Sequence, residues 1–158
     1  MRRRFGELMA SAMDDPRVYL LAGDVGFGVL DAAFKAAPDR CFNMGASEQA
    51  MIGAAVGMTY EGKIPICYTI TPFLLYRPFE WLRNYCQNEG APIKLVGSGR
   101  GRDYLDAGAT HWAEEQVAVL KTLPRIRAFY PDTVEQVEGM WHSFMTTTDP
   151  AYLNLRRK

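Results

Sequence analysis

Short apolar runs alternate with helical patterns along the whole chain, and this alternation constrains the fold more than any other feature. A run such as 18–22 is too short for a helix and is apolar on both sides, which is typical of a strand buried in a parallel sheet. The segments between such runs repeat apolar residues at helical spacing. We therefore predict an α/β fold of three layers, with a mostly parallel sheet of about six strands and helices on both faces.

The alternation also predicts the position of each element. Strands are expected at 18–22, 40–43, 64–69, 93–97, 126–130 and 152–155, and helices at 4–13, 30–36, 48–60, 77–88, 111–121 and 134–145. A length of 158 residues is enough for one hydrophobic core and too short for two. Residues 1–158 are therefore expected to form a single domain.

Composition excludes several classes of partner. The 18 basic and 18 acidic residues cancel, which argues against nucleic acid and an anionic membrane surface as partners, and no stretch approaches the ~20 apolar residues of a membrane span. Cys41, Cys67 and Cys86 are widely spaced and odd in number, so we predict buried thiols in a reducing cytoplasm. With two histidines in the chain, a metal site built from its own residues is not expected.

Polar clusters follow the predicted strands, at Asp24, 45–48, 71–76 and 98–111. Because the carboxyl ends of parallel strands meet at one edge of a sheet, a functional site is expected there. Glu48 is the most informative of these residues, since it begins a helix otherwise built mainly from Gly, Ala and Met. Such a poorly solvated acid is predicted to hold or share a proton near neutral pH. A structural alternative is a helix start with Ser47 as N-cap and the acid favoured by the helix dipole.

Two further motifs have both a functional and a structural interpretation. Phe73, Tyr76 and Phe79 recur every three residues, which places them on one helical face and is also typical of core packing. His111 closes the sequence Gly-Ala-Thr-His ahead of a predicted helix, where a lone histidine is often structural.

Taken in order, these motifs resemble the pyrimidine-binding domain of transketolase-type thiamine diphosphate enzymes, here as a stand-alone subunit. The resemblance implies that Glu48 hydrogen-bonds the aminopyrimidine ring and activates the cofactor, and that Phe73 stacks on the ring with Tyr76 and Phe79 nearby. It implies that His111 reaches the substrate. Asp24, as an inter-subunit contact, and Ser47, beside Glu48, are further cofactor-site candidates.

The resemblance also implies anion-binding residues and contains departures from the family pattern. Arg157, Arg100 and Arg3 are candidates for binding a substrate phosphate, although a solvated basic tail is the alternative for Arg157. Ala107 stands where the family has an Asp that contacts a sugar hydroxyl, with Asp106 adjacent, which puts sugar recognition in question. Asp24 is not expected to bind metal, because Val25 breaks the family's Gly-Asp-Gly motif.

The family's diphosphate-binding and carboxyl-terminal domains have no counterpart in this sequence, so we expect a companion subunit to hold the diphosphate and Mg²⁺. The expected activity is two-carbon ketol transfer on ketose or related phosphorylated substrates, by a hetero-tetramer that is inactive without the companion. The alternatives are the small subunit of a 2-oxo acid decarboxylase and a non-catalytic assembly module of the same fold. Gly53 and Gly57, four residues apart in the predicted helix 48–60, are expected to pack against a helix of a second subunit.

Overall fold

Six strands form a single parallel sheet in the computed structural model, which describes residues 1–157. The strands are β1 (Val18–Ala22), β2 (Cys41–Asn43), β3 (Ile64–Ile70), β4 (Lys94–Ser98), β5 (Arg127–Phe129) and β6 (Ala151–Leu155). Their order across the sheet is β2-β1-β3-β4-β6-β5, and all five neighbouring pairs are parallel. The predicted fold class is confirmed.

Helices cover both faces of this sheet. They are α1 (Arg2–Ala12), α2 (Asp31–Ala36), α3 (Glu48–Tyr60), α4 (Thr71–Tyr76), α5 (Phe79–Trp81), α6 (Gln116–Lys121) and α7 (Val134–Thr146). A π-helix, Leu82–Glu89, continues α5, and 3₁₀ turns lie at Pro38–Arg40, Leu105–Ala107 and Ala109–His111. Within residues 1–157, no helix is both long and apolar enough to cross a membrane.

The sheet separates two apolar clusters. Because successive strand residues point to opposite faces, Leu20 packs with Phe5 and Phe144 on one side, while Leu21 packs with Met51 and Leu82 on the other. The two edge strands have three residues each, which limits the unpaired backbone that the sheet exposes. All three cysteines are buried and free, and burial raises the pKa of each thiol.

One helix was not predicted, and another was wrong in its start. The segment after β3 is helical from Thr71 as α4, because Pro72 is favourable in a first helical turn, and this helix stops before Pro78. The helix predicted at 77–88 is present as α5 and the π-helix that continues it. The helix predicted at 111–121 begins only at Gln116. The backbone N–H of Ala113 donates instead to the carbonyl of Gly101 at 2.8 Å, which holds the residues after His111 extended against the loop that follows β4.

The strand order reverses at β1, since β2 lies on one side of it and β3 on the other. Ligands of open α/β sheets bind beyond the carboxyl ends of the strands at such a reversal. The N-terminus of α3, all of α4 and the 3₁₀ turn that contains His111 follow β2, β3 and β4 respectively. The topology therefore brings the three predicted motifs to one edge.

Candidate functional site

Glu48 is a buried acid at the N-terminus of α3, and the rest of the site is arranged around it. The residue is 2% exposed, and its two carboxylate oxygens accept hydrogen bonds from Nη1 of Arg77 at 2.8 and 2.9 Å. The dipole of the 13-residue helix also favours a negative charge at this end. The carboxylate and Arg77 line an open cavity of about 490 Å³.

Phe73 lies in α4 between two planar side chains. The guanidinium carbon of Arg77 is 3.7 Å from the centroid of the Phe73 ring, and the His111 ring meets the same phenyl edge-on at 4.9 Å. Phe73 belongs to neither apolar cluster, although it is only partly exposed. Its neighbours on the ring are therefore polar side chains at the surface rather than the core.

Tyr76 and Phe79 differ from Phe73, because both pack against the apolar cluster beneath α3 and α4. The three aromatic residues do not share one helical face, since the chain breaks at Pro78 between Tyr76 and Phe79. The Tyr76 hydroxyl donates to Glu115 at 3.3 Å. Burial, together with the charge of Glu115, raises the pKa of Tyr76 to about 12, so its phenol stays protonated at neutral pH.

His111 ends a 3₁₀ turn and is not part of the predicted α-helix, so its ring is positioned by neighbouring side chains. Its Nδ1 is 3.0 Å from Oγ1 of Thr110, and its ring centroid lies 6.1 Å from that of Tyr104. The imidazole is partly exposed and lies against Phe73. Asp106 and Ala107 lie in the preceding 3₁₀ turn, where Asp106 is exposed.

Asp24 and Ser47 lie at the ends of β1 and β2, where Asn43 connects the two loops. Asn43 accepts hydrogen bonds from the backbone N–H groups of Asp24 at 3.2 Å and Gly45 at 3.0 Å, and its amide donates to the Asp24 carboxylate at 3.2 Å. Asp24 has a φ of 56°, a left-handed conformation that Asp tolerates better than most residues. Ser47 precedes α3 as predicted, but its hydroxyl donates to the carbonyl of Met44 and does not cap the helix.

The three candidate phosphate-binding arginines have different environments. All three nitrogens of the Arg100 guanidinium donate within the chain, to Asn154, Asp132 and the carbonyl of Pro131, which favours a structural role over phosphate binding. Arg157 lies over the ring of Tyr104, with its guanidinium carbon 4.7 Å from the centroid, and the Tyr104 centroid is 6.1 Å from that of His111. Arg3 is an exposed residue of α1, 3.7 Å from Glu7.

Two features of the site were missed by sequence analysis. Arg77 was not considered, although it lies four residues after Phe73, a spacing that brings side chains together on a helix. The second feature is a buried polar network beneath residues 99–102, the loop after β4 that contains Gly99 and Gly101 and is called the glycine loop below. In this network Asn154 donates to the carbonyl of Gly99 at 3.0 Å and Tyr152 donates to Gln116 at 2.8 Å. No local pattern indicated this network, because its members come from separate elements.

Among residues 1–157 no group of three or more His, Cys, Asp or Glu side chains is placed to hold a metal ion. The acid, the aromatic face and the imidazole are brought together, and Tyr104 separates Arg157 from the imidazole. Tyr76 and Phe79 flank this group from the core side.

Comparison with known proteins connects this geometry to a family. Residues 1–158 match the family model described as "Transketolase, pyrimidine binding domain". A solved structure described as a split gene transketolase, an inactive beta4 tetramer, is 30% identical, with a TM-score of 0.85 over 99% of this chain and 50% of that chain.

Two curated relatives cover similar ranges. An uncharacterized 33.6 kDa protein in the fasciation locus of Rhodococcoides fascians is 28% identical over 96% of this chain and 49% of its own length. A 6-deoxy-6-sulfo-D-fructose transketolase subunit from a Clostridium species is 27% identical over 96% of this chain and 47% of its own length. The chain thus spans about half the length of the relatives it matches. Because the family model covers all of it, the chain belongs to the transketolase family, as a pyrimidine-binding domain.

Proposed function

We propose that this chain binds the aminopyrimidine half of thiamine diphosphate through Glu48 and Phe73. The observation that carries the proposal is the buried carboxylate of Glu48 beside the partly exposed ring of Phe73, both in contact with the planar guanidinium of Arg77. A planar group that meets the acid through a hydrogen bond therefore fits against the acid and the ring, and an aminopyrimidine is planar and can share a proton with Glu48 through its ring nitrogen. The residues present fit the cofactor that the family implies.

The chain's own residues have distinct roles in this proposal. When bound, thiamine diphosphate supplies the carbanion-stabilising chemistry. Glu48 holds a proton between its carboxylate and the pyrimidine ring nitrogen, and Phe73 orients the ring by stacking, with Tyr76 and Phe79 supporting it from the core. His111 exchanges a proton with substrate oxygens, while its Nδ1 is held by Thr110.

The proposed reaction is two-carbon ketol transfer, with cleavage and formation of a carbon–carbon bond in ketose or related phosphorylated substrates. Its support is family membership, together with a relative named as a subunit of a sulfosugar transketolase. Arg157 provides positive charge for an anionic sugar beside His111. Arg3 is a second, more distant candidate, and Arg100 the weakest of the three because its guanidinium is already engaged.

In this proposal a companion subunit holds the diphosphate and Mg²⁺. The active enzyme is a hetero-tetramer of the two kinds of subunit. Support comes from relatives that are described as a transketolase subunit and as a split gene transketolase. Asp24, exposed at the end of β1, and Ser47 are placed at the boundary with that companion.

A reconstituted pair tests this function. Mixed with a chain that carries the diphosphate-binding domain, wild type is expected to bind thiamine diphosphate and Mg²⁺ and to turn over ketose donors. The substitution Glu48→Gln keeps the size of the side chain but removes the ionisable group, so turnover is expected to fall by about 10²–10⁴. Cofactor binding is measured by calorimetry, and turnover with a panel of ketose and 2-oxo acid donors.

The matched control is Glu61→Gln, at the exposed opposite end of α3, which is expected to leave turnover unchanged. Retention of most activity by Glu48→Gln would remove Glu48 from the chemistry. Cofactor and metal binding by this chain without the companion would contradict the divided site. A preference for 2-oxo acids over ketoses would select the decarboxylase alternative.

A further inference from the structure

The Arg77 side chain occupies all the surfaces that the proposed function assigns to the cofactor ring. One of its nitrogens donates to both oxygens of Glu48, at 2.8 and 2.9 Å, and its plane covers the Phe73 ring at 3.7 Å. The ring face that Arg77 covers cannot stack on a second planar group at the same time, and such a group would compete with Arg77 for the Glu48 oxygens. The Glu48 carboxylate and the Phe73 ring face together form the proposed aminopyrimidine site, called the seat below. We propose that the Arg77 guanidinium fills this seat in the unliganded chain and that the ring must displace it. The inference rests on the proposed function.

The chemistry of the two occupants explains why one replaces the other. A guanidinium is planar, delocalised and rich in N–H donors, and it stacks on aromatic rings while it binds a carboxylate. An aminopyrimidine is also planar, stacks on aromatic rings and carries nitrogen in an amidine-like arrangement. The seat is therefore selective for flat nitrogen-containing groups, and a compact ammonium is a poorer occupant because it cannot cover the ring.

The exposures of the two charged partners indicate which of them moves. The Glu48 side chain is 2% exposed, whereas the Arg77 side chain is 44% exposed. Within residues 1–157, Glu48 is the sole carboxylate in an ion pair with Arg77. Arg77 can return to water at little cost, but a buried carboxylate without a partner is strongly unfavourable. The exchange therefore proceeds when the incoming ring replaces the hydrogen bonds that Arg77 gives up. It takes up one proton from solvent, because an ionised carboxylate and a neutral pyrimidine ring nitrogen are both acceptors and need a proton between them.

The position of Arg77 in the chain is consistent with such a movement. The residue lies at the end of α4, immediately before Pro78, where the helix is interrupted. Its backbone carbonyl accepts a hydrogen bond from Gln49 at 3.2 Å, which holds the main chain near α3 while the side chain stays free to turn. Because Arg77 fills the seat in part of the population, the apparent affinity for the ring is reduced by that fraction.

Two small probes test the seat in the full chain without any companion. Methylguanidinium tests the seat itself, and 4-amino-2-methylpyrimidine tests competition with the cofactor ring. In Arg77→Ala the seat is empty, so both probes are expected to bind at least tenfold more tightly than in wild type, as measured by NMR titration. Methylguanidinium is expected to compete with the pyrimidine in this variant, whereas tetramethylammonium at equal concentration is expected not to.

The matched control is Arg83→Ala, which removes the same charge from an exposed position. Within residues 1–157, the side chain of Arg83 donates one hydrogen bond, to Asn84. This variant is expected to bind both probes as wild type does. Adding Glu48→Gln to Arg77→Ala is expected to abolish the gain. If Arg77→Ala unfolds, Arg77→Lys keeps a cation but cannot cover Phe73, and is expected to show a gain in the same direction.

The outcomes separate this inference from the function on which it rests. Equal pyrimidine binding by wild type and Arg77→Ala, together with a gain for methylguanidinium, would overturn the displacement model and leave the cofactor assignment standing. Binding of methylguanidinium but of no pyrimidine, by any variant, would overturn both displacement and the pyrimidine assignment. No gain for either probe in Arg77→Ala or Arg77→Lys would overturn the seat itself.

Discussion

At the scale of single residues, the polar network beneath the glycine loop requires buried side chains to pack closely against the backbone of β4. Gly97, near the end of β4, shows this most clearly. A Cβ atom there would lie 2.6 Å from Oγ1 of Thr71 and 2.7 Å from the hydroxyl of Tyr152, both buried members of the polar network beneath the glycine loop. Only a residue without a side chain permits the strand and the network to meet at this distance.

The substitution Gly97→Ala is therefore expected to lower the free energy of unfolding by about 1–3 kcal/mol, as overpacking of a core does. The control is Gly139→Ala in α7, where nothing lies within 4 Å of the added methyl group. That change is expected to raise the free energy of unfolding by about 0.5–1 kcal/mol, because alanine favours the helix. Urea denaturation measures both, and a Gly97→Ala protein as stable as wild type would contradict the packing argument.

At the scale of elements, α3 has two different flanks. Gly53 faces the Trp81 ring of the same chain, and a Cβ atom added at Gly53 would lie 3.3 Å from that ring, so close packing at this glycine is found within the chain. The reason is that α5 folds back onto α3 after the break at Pro78. Packing of Gly53 against a second subunit stays a prediction. Ala50, Ala54 and Gly57 form the other flank, which is exposed and carries only small side chains. This flank of small residues is the surface of α3 that suits close helix packing in the proposed tetramer.

A charge placed on this flank tests its role in assembly. The substitution Ala54→Glu is expected to shift the protein, with or without its companion, toward smaller species in light scattering, because a buried unpaired charge is unfavourable in an interface. The thermal midpoint of the dissociated chain is expected to change little, since Ala54 is exposed. Ala32→Glu, at an exposed position in α2 on the opposite face of the sheet, is the control. Equal assembly of the two variants would exclude this flank as the contact.

At the scale of the whole molecule, buried ionisable groups determine how stability depends on alkaline pH. Burial raises the pKa of Cys86 from 9.0 to about 12, and it raises the pKa of Cys67 in the same direction. The unfolded thiols lose their protons near pH 9, so the stability they contribute is complete below that pH and is lost between pH 9 and 12. Lys94 acts in the opposite sense, because burial lowers its pKa from 10.5 to about 8.

Unfolding in urea at pH 7.5, 9 and 10.5 tests this balance. Each buried thiol is expected to lower the free energy of unfolding by about 2 kcal/mol between pH 9 and 10.5, at about 1.4 kcal/mol per pH unit. The substitution Cys86→Ala removes one such group, so this variant is expected to lose about 2 kcal/mol less than wild type over the same interval. The comparison is made between pH values within each protein, which cancels the cavity that alanine leaves. Parallel curves for the two proteins would contradict the assignment.

Much of the fold was predictable because its signals are local. Four of the six strands are buried along almost their whole length, and an apolar run such as Val18–Ala22 allows few alternatives to a strand in a parallel sheet. The errors fall where a distant contact competes with local preference. Residues 112–115 carry a helical pattern, yet the bridge between Gly101 and Ala113 holds them in another conformation.

The sequence by itself determined the parallel sheet and the edge at which the polar motifs collect, whereas Glu48, Phe73 and His111 became site candidates through the family resemblance and stay predictions. It did so because hydrophobic periodicity and motif order are properties of neighbouring residues. Only the tertiary structure decided that Phe73 lies outside the core while Tyr76 and Phe79 pack against it. It also decided that the Arg100 guanidinium is fully hydrogen-bonded within the chain and that Arg77 pairs with Glu48. These outcomes depend on which chemically suitable partner lies within reach, and reach is set by segments far apart in the chain.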